Sequence, residues 1–399
     1  MLTDTQVDLL RADTPGCRPD HAYFNHAGAS LPPAAVTRAI VGHLELEARV
    51  GPMEAGAQAA EAVQRTRAAA ASLLGAGADE IAFSTGGSSA WGLAIAALPP
   101  LAAGDRILVG RQEWGGNLTT LRDKAARAGA TVEVIPTLDD GRVDADALGS
   151  LIDDRVKLIN LTWGAANGGL VNDAAAVGRV ARAASIPYVI DAAQVVGQIP
   201  VDVAALGCDM LKAPGRKHLR GPRGTALLHV RRGFLARLAP AFLDVQSAPW
   251  ASHAGSGAPR DDARVLEPAE ASVALLLGLG QALDLALSVG IPAIRGRIQA
   301  VADDLRTQLS AIPGVAVRDI GAPDTRSGLV SFTVDGWTGS AVRARLLDHG
   351  ITIGANGIPY TPLDMTARGL TEIARASVSY LTTDAELDRL LKAVAALRA

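Results

Sequence analysis

Residues 208–224 read Cys-Asp-Met-Leu-Lys-Ala-Pro-Gly-Arg-Lys-His-Leu-Arg-Gly-Pro-Arg-Gly, with Lys212 and Lys217 on either side of a Pro-Gly turn and a second turn, Gly-Pro-Arg-Gly, closing the stretch. The chain has only five lysines, Lys124, Lys157, Lys212, Lys217 and Lys392, while arginine supplies the other cations. Two lysines in one short, turn-rich stretch therefore call for a chemical reason. Just upstream, Tyr188-Val-Ile-Asp191-Ala-Ala-Gln194 reads as a buried strand that delivers an acid and an amide at its carboxyl end.

An acid at a strand end and a lysine in a following loop are the pair that pyridoxal phosphate requires. The lysine holds the cofactor covalently, and the carboxylate keeps the ring nitrogen protonated so that the ring accepts electrons. The Asp191-Ala-Ala-Gln194 strand end and the Gly-Arg-Lys217-His-Leu-Arg-Gly-Pro-Arg-Gly loop resemble the class V aminotransferases of the fold-type I pyridoxal-phosphate enzymes. That group includes cysteine desulfurases, isopenicillin N epimerase and the ergothioneine-pathway C–S lyase. The likeness runs from Tyr23 to the C-terminal helix and is greatest to the epimerase and C–S lyase branch.

The resemblance implies an α/β fold: a large domain with a mostly parallel seven-stranded sheet, and a smaller α+β C-terminal domain. It implies an N-terminal segment at 1–22, a large domain at 23–255 and a small one at 256–399, with the N-terminal segment joined to the small domain. It makes Lys217 the cofactor lysine, Asp191 the partner of the ring nitrogen and Gln194 a further cofactor contact. Lys212, inside the strand expected at 209–212, is the rival lysine.

Length and composition agree. At 399 residues the chain exceeds one ordinary core, so two domains are expected. A net charge of −3 gives no electrostatic reason to expect a nucleic acid or an acidic membrane as partner. Two cysteines, Cys17 and Cys208, make neither a disulfide framework nor a zinc site, so no metal is expected and a reducing cytoplasm is. The N-terminus has Asp4 and Asp8 and lacks the basic and apolar regions of a signal peptide.

Along the chain, Tyr23-Phe-Asn25-His-Ala-Gly is a short extended piece which, in the family, lines the substrate mouth; chain entry packed on the core is the alternative. Apolar spacing predicts helices over 34–50 and 59–74, with His43 a partly exposed helix residue. Residues 81–91 predict a strand, a Gly86-Gly87 turn and a helix start that Ser88 and Ser89 can cap. Amides at such a helix start face anions, and the family places its phosphate loop here. The strand from Arg106 ends in Gln112-Glu113-Trp114-Gly115-Gly116-Asn117. Relatives carry a ring-stacking aromatic or histidine at this place, which gives Trp114 that role, and the two glycines suggest a loop. Further strands are expected at 131–135 and 156–161.

After them comes Thr162-Trp163-Gly-Ala-Ala-Asn167-Gly-Gly-Leu-Val-Asn172, in which Trp163 stands where relatives place a polar residue near the cofactor hydroxyl. Asn172 reads as the cap of a helix over 174–184. Arg216 replaces a phosphate-touching histidine of the desulfurases, and a guanidinium suits that task. Arg220 and Arg223 receive no role beyond turn cations. His253 reads as a loop histidine before a long helix over 271–289. The resemblance implies a homodimer with a partner contact at Ala271 or Ser272.

The last third predicts a helix over 293–312, strands at 329–334 and 351–354, and a helix over 339–349 between them. In Arg375-Ala-Ser-Val-Ser-Tyr380-Leu-Thr, Arg375 falls where the family holds the substrate carboxylate. No cysteine follows Cys208, although desulfurases carry their nucleophile in the region matching 350–367. The expected activity is therefore pyridoxal-phosphate chemistry on a small-molecule amino acid. β-Elimination from an S-substituted cysteine or its sulfoxide comes first. Oxidative decarboxylation to an aldehyde, epimerisation and transamination are the enzymatic alternatives, and a non-catalytic protein of the same fold is the other class.

Overall fold

The computed structural model describes residues 2–251 and 257–398. His253 lies outside the described residues. Helix α1 (Asp4–Ala12) opens on a capping box between Thr3 and Gln6, and strand β1 (Ala22–Phe24) follows. Helices α2 (Ala34–Val50) and α3 (Pro52–Leu74) come next. The second begins earlier than its apolar spacing indicated. Pro52 sits at its first turn, where a missing N–H leaves no bond unmade, and Gly75 ends it in the left-handed region at φ 67°. His43 is buried rather than partly exposed, with Nε2 3.2 Å from Glu47.

Strands β2 (Ile81–Ser84), β3 (Arg106–Val109), β4 (Thr131–Val134), β5 (Val156–Thr162), β6 (Tyr188–Asp191), β7 (Met210–Pro214) and β8 (Ala226–Val230) form one sheet in the order β2-β8-β7-β6-β5-β3-β4. Only β8 runs against the rest. It carries no Gly-free, alternating pattern long enough to stand out in the sequence. The crossovers are α4 (Gly87–Ala96), α5 (Gly115–Ala128), α6 (Ala145–Leu151), α7 (Ala174–Ala183) and α8 (Val203–Leu206). Both β6 and β7 are buried along their length, as parallel strands between helix layers must be. The cap of α7 is Asp173, which accepts from Ala176 N–H. Asn172, the residue expected there, instead accepts from Val143 N–H at 2.9 Å and donates to Thr162 O at 3.1 Å, tying two loops together.

Helix α9 (Val273–Val289), capped by Ser272, packs on α2 and α3, and α10 (Ile291–Ala311) leaves it at an 80° bend. Strands β9 (Val315–Val317), β10 (Leu329–Val334), β11 (Ile351–Gly357) and β12 (Glu372–Ser377) build a second sheet in the order β1-β11-β12-β10-β9. Helices α11 (Gly339–Leu347), α12 (Pro362–Ala367) and α13 (Asp384–Ala395) accompany it. The N-terminal strand β1, placed by the sequence mostly with the larger unit, pairs in parallel with β11 of this smaller sheet. Arg11 adds an ion pair to Glu386 at 2.9 Å. No single helix among the described residues is long and apolar enough to cross a membrane.

Candidate active site

The loop between β7 and β8 carries Lys217, and its backbone is closed on itself. Gly215 N–H donates to Thr225 O at 2.9 Å, Gly221 N–H to Gly215 O at 2.8 Å and Arg220 N–H to Lys217 O at 2.8 Å. Arg220 sits at φ 63°, a region that side chains other than glycine seldom occupy. Its guanidinium explains the strain. It is fully buried and donates to Leu31 O at 3.0 Å, to Tyr380 Oη at 2.7 Å and to Thr14 Oγ1 at 2.5 Å. Arg220 is thus no turn cation but a rivet between the lysine loop, the N-terminal segment and the stretch after β12. Arg223, by contrast, is exposed.

The riveted loop places Lys217 in the wall of a cavity of about 300 Å³. This cavity lies at the carboxyl ends of the parallel strands, where open α/β sheets hold their ligands. Nine of the eleven residues singled out in the sequence line it: Lys217, Asp191, Gln194, Trp114, Gly87, Ser88, Arg216, Arg375 and Asn25. Gly86 sits one residue back as the cap position of α4. Trp163 does not line the cavity. Its neighbours Thr162 and Gly164 do, while the indole turns into the main core and the backbone N–H bonds Asp191 O at 3.0 Å.

Asp191 ends β6 and is buried. Its Oδ1 accepts from Ala193 N–H at 2.9 Å, and its Oδ2 from Asn117 at 2.8 Å and from Lys212 Nζ at 2.7 Å. Burial opposes its charge, but Lys212, Lys217 and the Ala193 amide outweigh that and hold the carboxyl below its usual range. Behind it stands Glu113, fully buried, bonded by Asn117, Asn160 and Thr162. Burial first, then the Asp191 charge, pushes the Glu113 carboxyl up to about 7. Glu113 was quoted in the sequence but given no role; an acid next to a candidate stacking residue was the available signal. Lys217 is driven the other way: burial, then the nearby Lys212 charge, lowers it well below a free lysine.

Trp114 precedes α5, with its ring centroid 6.0 Å from Lys217 Nζ and 5.4 Å from the Tyr360 ring. The two glycines after it open helix α5 instead of a loop. A Cβ on Gly115 would come within 2.2 Å of the Pro359 carbonyl oxygen, so only glycine lets these segments approach. Tyr360, Arg343 and Asn356, which also line the cavity, had no distinguishing sequence signal.

Arg375, on β12, donates through Nη1 to Ala166 O at 2.7 Å, and its buried Nε has no partner. Burial pulls it down to about 10, Tyr360 acting against that and Arg216 with it. Gln194 donates to Ala27 O at 3.2 Å while its buried Oε1 accepts nothing. No carboxylate of the described residues pairs with Arg216, and no side chain caps α4. The cavity therefore presents unused donors at Gly87, Ser88 and Arg216, an unused acceptor at Gln194, a paired carboxylate and a buried amine. That donor set fits pyridoxal phosphate: the anion at the first three, the ring hydroxyl at Gln194, the ring nitrogen at Asp191 and the aldehyde carbon at Lys217.

Comparison with known proteins gives the same direction. The family model described as aminotransferase class-V matches residues 22–390. A probable cysteine desulfurase of Xylella fastidiosa (strain 9a5c) is 31% identical over 94% of this chain and 90% of its own length. A probable hercynylcysteine sulfoxide lyase of Mycobacterium tuberculosis (strain CDC 1551 / Oshkosh) is 32% identical over 99% of this chain and 94% of its own. The apo cysteine desulfurase of Thermococcus onnurineus NA1 shares the fold, with a TM-score of 0.90 at 23% identity over 98% of this chain and 97% of its own.

Proposed function

The chain belongs to the class V aminotransferase family and is a pyridoxal 5′-phosphate-dependent enzyme, and from that premise we propose that it breaks the Cβ–S bond of an S-substituted cysteine or its sulfoxide. The observation that carries this reading is a single cavity wall holding a buried amine, a paired carboxylate and an arginine with free donors, and no thiol. Cys208 is buried just before β7, and the segment that follows β11 brings Tyr360, not a cysteine, to the cavity. A similarly sized relative named as a sulfoxide lyase supports the same chemistry.

When bound, the cofactor supplies an electron-withdrawing ring that acidifies the α-proton of an attached amino acid. Arg375 holds the substrate carboxylate, with Asn25 at the same mouth, and so fixes the Cα–H bond toward Lys217. Lys217, whose proton affinity burial and Lys212 lower, would take that proton once the substrate amine has displaced it from the cofactor. The Cα–H electron pair forms the Cα–Cβ double bond, the Cβ–S bond breaks, and the sulfur leaves with its pair. A sulfoxide leaves as a sulfenate, which needs no acid to assist it. Water then releases pyruvate and ammonia. Asp191 would hold the proton of the ring nitrogen, and Trp114 would cover the ring.

Incubation with a panel of S-substituted cysteines and their sulfoxides tests this. Equal amounts of pyruvate and ammonia, lost in Lys217→Ala, are expected. Carbon dioxide with an aldehyde, an inverted amino acid or a transaminated product would contradict it. We further propose a cytoplasmic homodimer. Phe242, Val245 and Trp250 are 52%, 72% and 58% exposed on one stretch, an apolar area that a second copy would cover. Ala271 and Ser272 lie outside the main cavity's wall, so a partner contact there reaches the cofactor only from across an interface.

A further inference from the structure

Strand β7 is buried at every position, and its residues are Met, Leu, Lys, Ala and Pro. A lysine in such a strand is costly unless its charge is met. Register meets it: Lys212 lies directly opposite Asp191 in the parallel ladder, so both side chains leave the sheet on one face. Nζ reaches Asp191 Oδ2 at 2.7 Å, with the side chains 7% and 3% exposed, and Lys212 lines the same cavity as Lys217. Asn117 occupies the other approach to that oxygen at 2.8 Å, so the carboxylate cannot swing.

We propose that Lys212 is a positioning residue of the active site: its ammonium fixes the Asp191 carboxylate toward the cavity and sets a like charge beside Lys217. This rests on Lys217 being the cofactor lysine, and it holds whichever bond the enzyme breaks. The groups that face Lys217 are Asp191 from β6, Lys212 from β7, Arg216 in its own loop and Arg375 from β12; Glu113 stands behind Asp191. Three of the four facing groups are cations, and after burial Lys212 acts most strongly to lower Lys217. Asp191, the one attractive charge, is already engaged by Lys212. The pair of lysines thus divides the work. Lys212 engages the carboxylate, and Lys217, without a carboxylate of its own, is left to meet cofactor and substrate.

Because the chain has five lysines, the idea can be read directly. The full chain, labelled with carbon-13 at lysine Cε and freed of cofactor, is titrated by NMR, with Lys→Arg variants assigning the signals. In Lys212→Met the Lys217 midpoint rises by about one pH unit or more, and the affinity for pyridoxal phosphate near neutral pH falls about tenfold. In Lys212→Arg, which keeps the charge, the midpoint stays near that of the wild type. A purely structural Lys212 would lower the melting temperature of the Met variant and leave the Lys217 midpoint in place, and that result would overturn the proposal. Should the Met variant not fold, Lys212→Gln is titrated in its place, and a Lys217 midpoint unmoved from the wild type there contradicts the assignment. Failure of the C–S cleavage assay leaves this titration untouched, so the two readings fail separately.

Discussion

Arg375 Nη1 donates to the Ala166 carbonyl at 2.7 Å while its Nε, buried, bonds to nothing. The guanidinium is therefore anchored at one corner with donors to spare on the cavity side. On the proposed reading a substrate carboxylate would complete it as a charge-assisted fork, contributing about 1.5–3 kcal/mol. Arg375→Lys keeps a charge but loses the fork. Its kcat/KM is expected to fall by about one to two orders of magnitude, with bound cofactor retained. Unchanged kcat/KM on the preferred substrate would remove the clamp.

Trp114 and Tyr360 stack at 5.4 Å and 34°, and Trp114 lines the cavity. Loss of an aromatic partner costs about 0.5–1.5 kcal/mol beyond area. Trp114→Ala should weaken cofactor retention on dialysis up to about tenfold, and Trp114→Phe much less. Equal retention in the alanine variant would mean that the ring does not cover the cofactor.

Glu113 sets a pH dependence of stability. Its carboxyl lies near 4.5 when unhindered and is pushed up to about 7 in the fold, by burial and then by Asp191. Below this window both states hold the proton, and above it neither does. Within it the folded protein binds a proton that the unfolded chain has lost. Stability from this group therefore falls as pH rises from 4.5 to 7, by at most about 1.4 kcal/mol per pH unit. Glu113→Gln removes that slope, so denaturant midpoints of the cofactor-free variant should gain on the wild type as pH rises. Parallel curves would contradict the assignment.

Arg220 joins three segments through Thr14, Leu31 and Tyr380. Arg220→Ala loses these bonds and leaves a strained φ, and should cost about 3 kcal/mol or more of unfolding free energy. Tyr380→Phe removes one of the bonds and should cost about 1 kcal/mol. Additive effects in the double variant would show that the two side chains are not coupled.

The sequence carried the site better than the edges of the fold. Lys217, Asp191, Gln194 and Arg375, which the structure gathers in one cavity, were legible because each sits in a local pattern of turn, strand end or family motif. Lys212, read as the rival lysine, and Glu113, to which the sequence gives no role, take their place from register and burial: one stands across the ladder from Asp191, the other beneath it. Trp163 misled because alternation along the chain decides which face a residue serves, and only its neighbours open on the cavity. Arg220 looked like any cation in a glycine-rich turn, since its three partners are distant in sequence. Strand β1 joins a sheet whose other members begin about three hundred residues later, and no local signal reports such a pairing.

The central claim is that Lys217 is the cofactor lysine, and borohydride reduction of the cofactor-loaded protein followed by peptide mass mapping tests it most directly. Reduction makes the attachment permanent, so the added mass marks one lysine of the five. The mass is expected on Lys217, with none on Lys212 and none anywhere in Lys217→Ala. Cofactor fixed on Lys212 in the wild type would contradict the account.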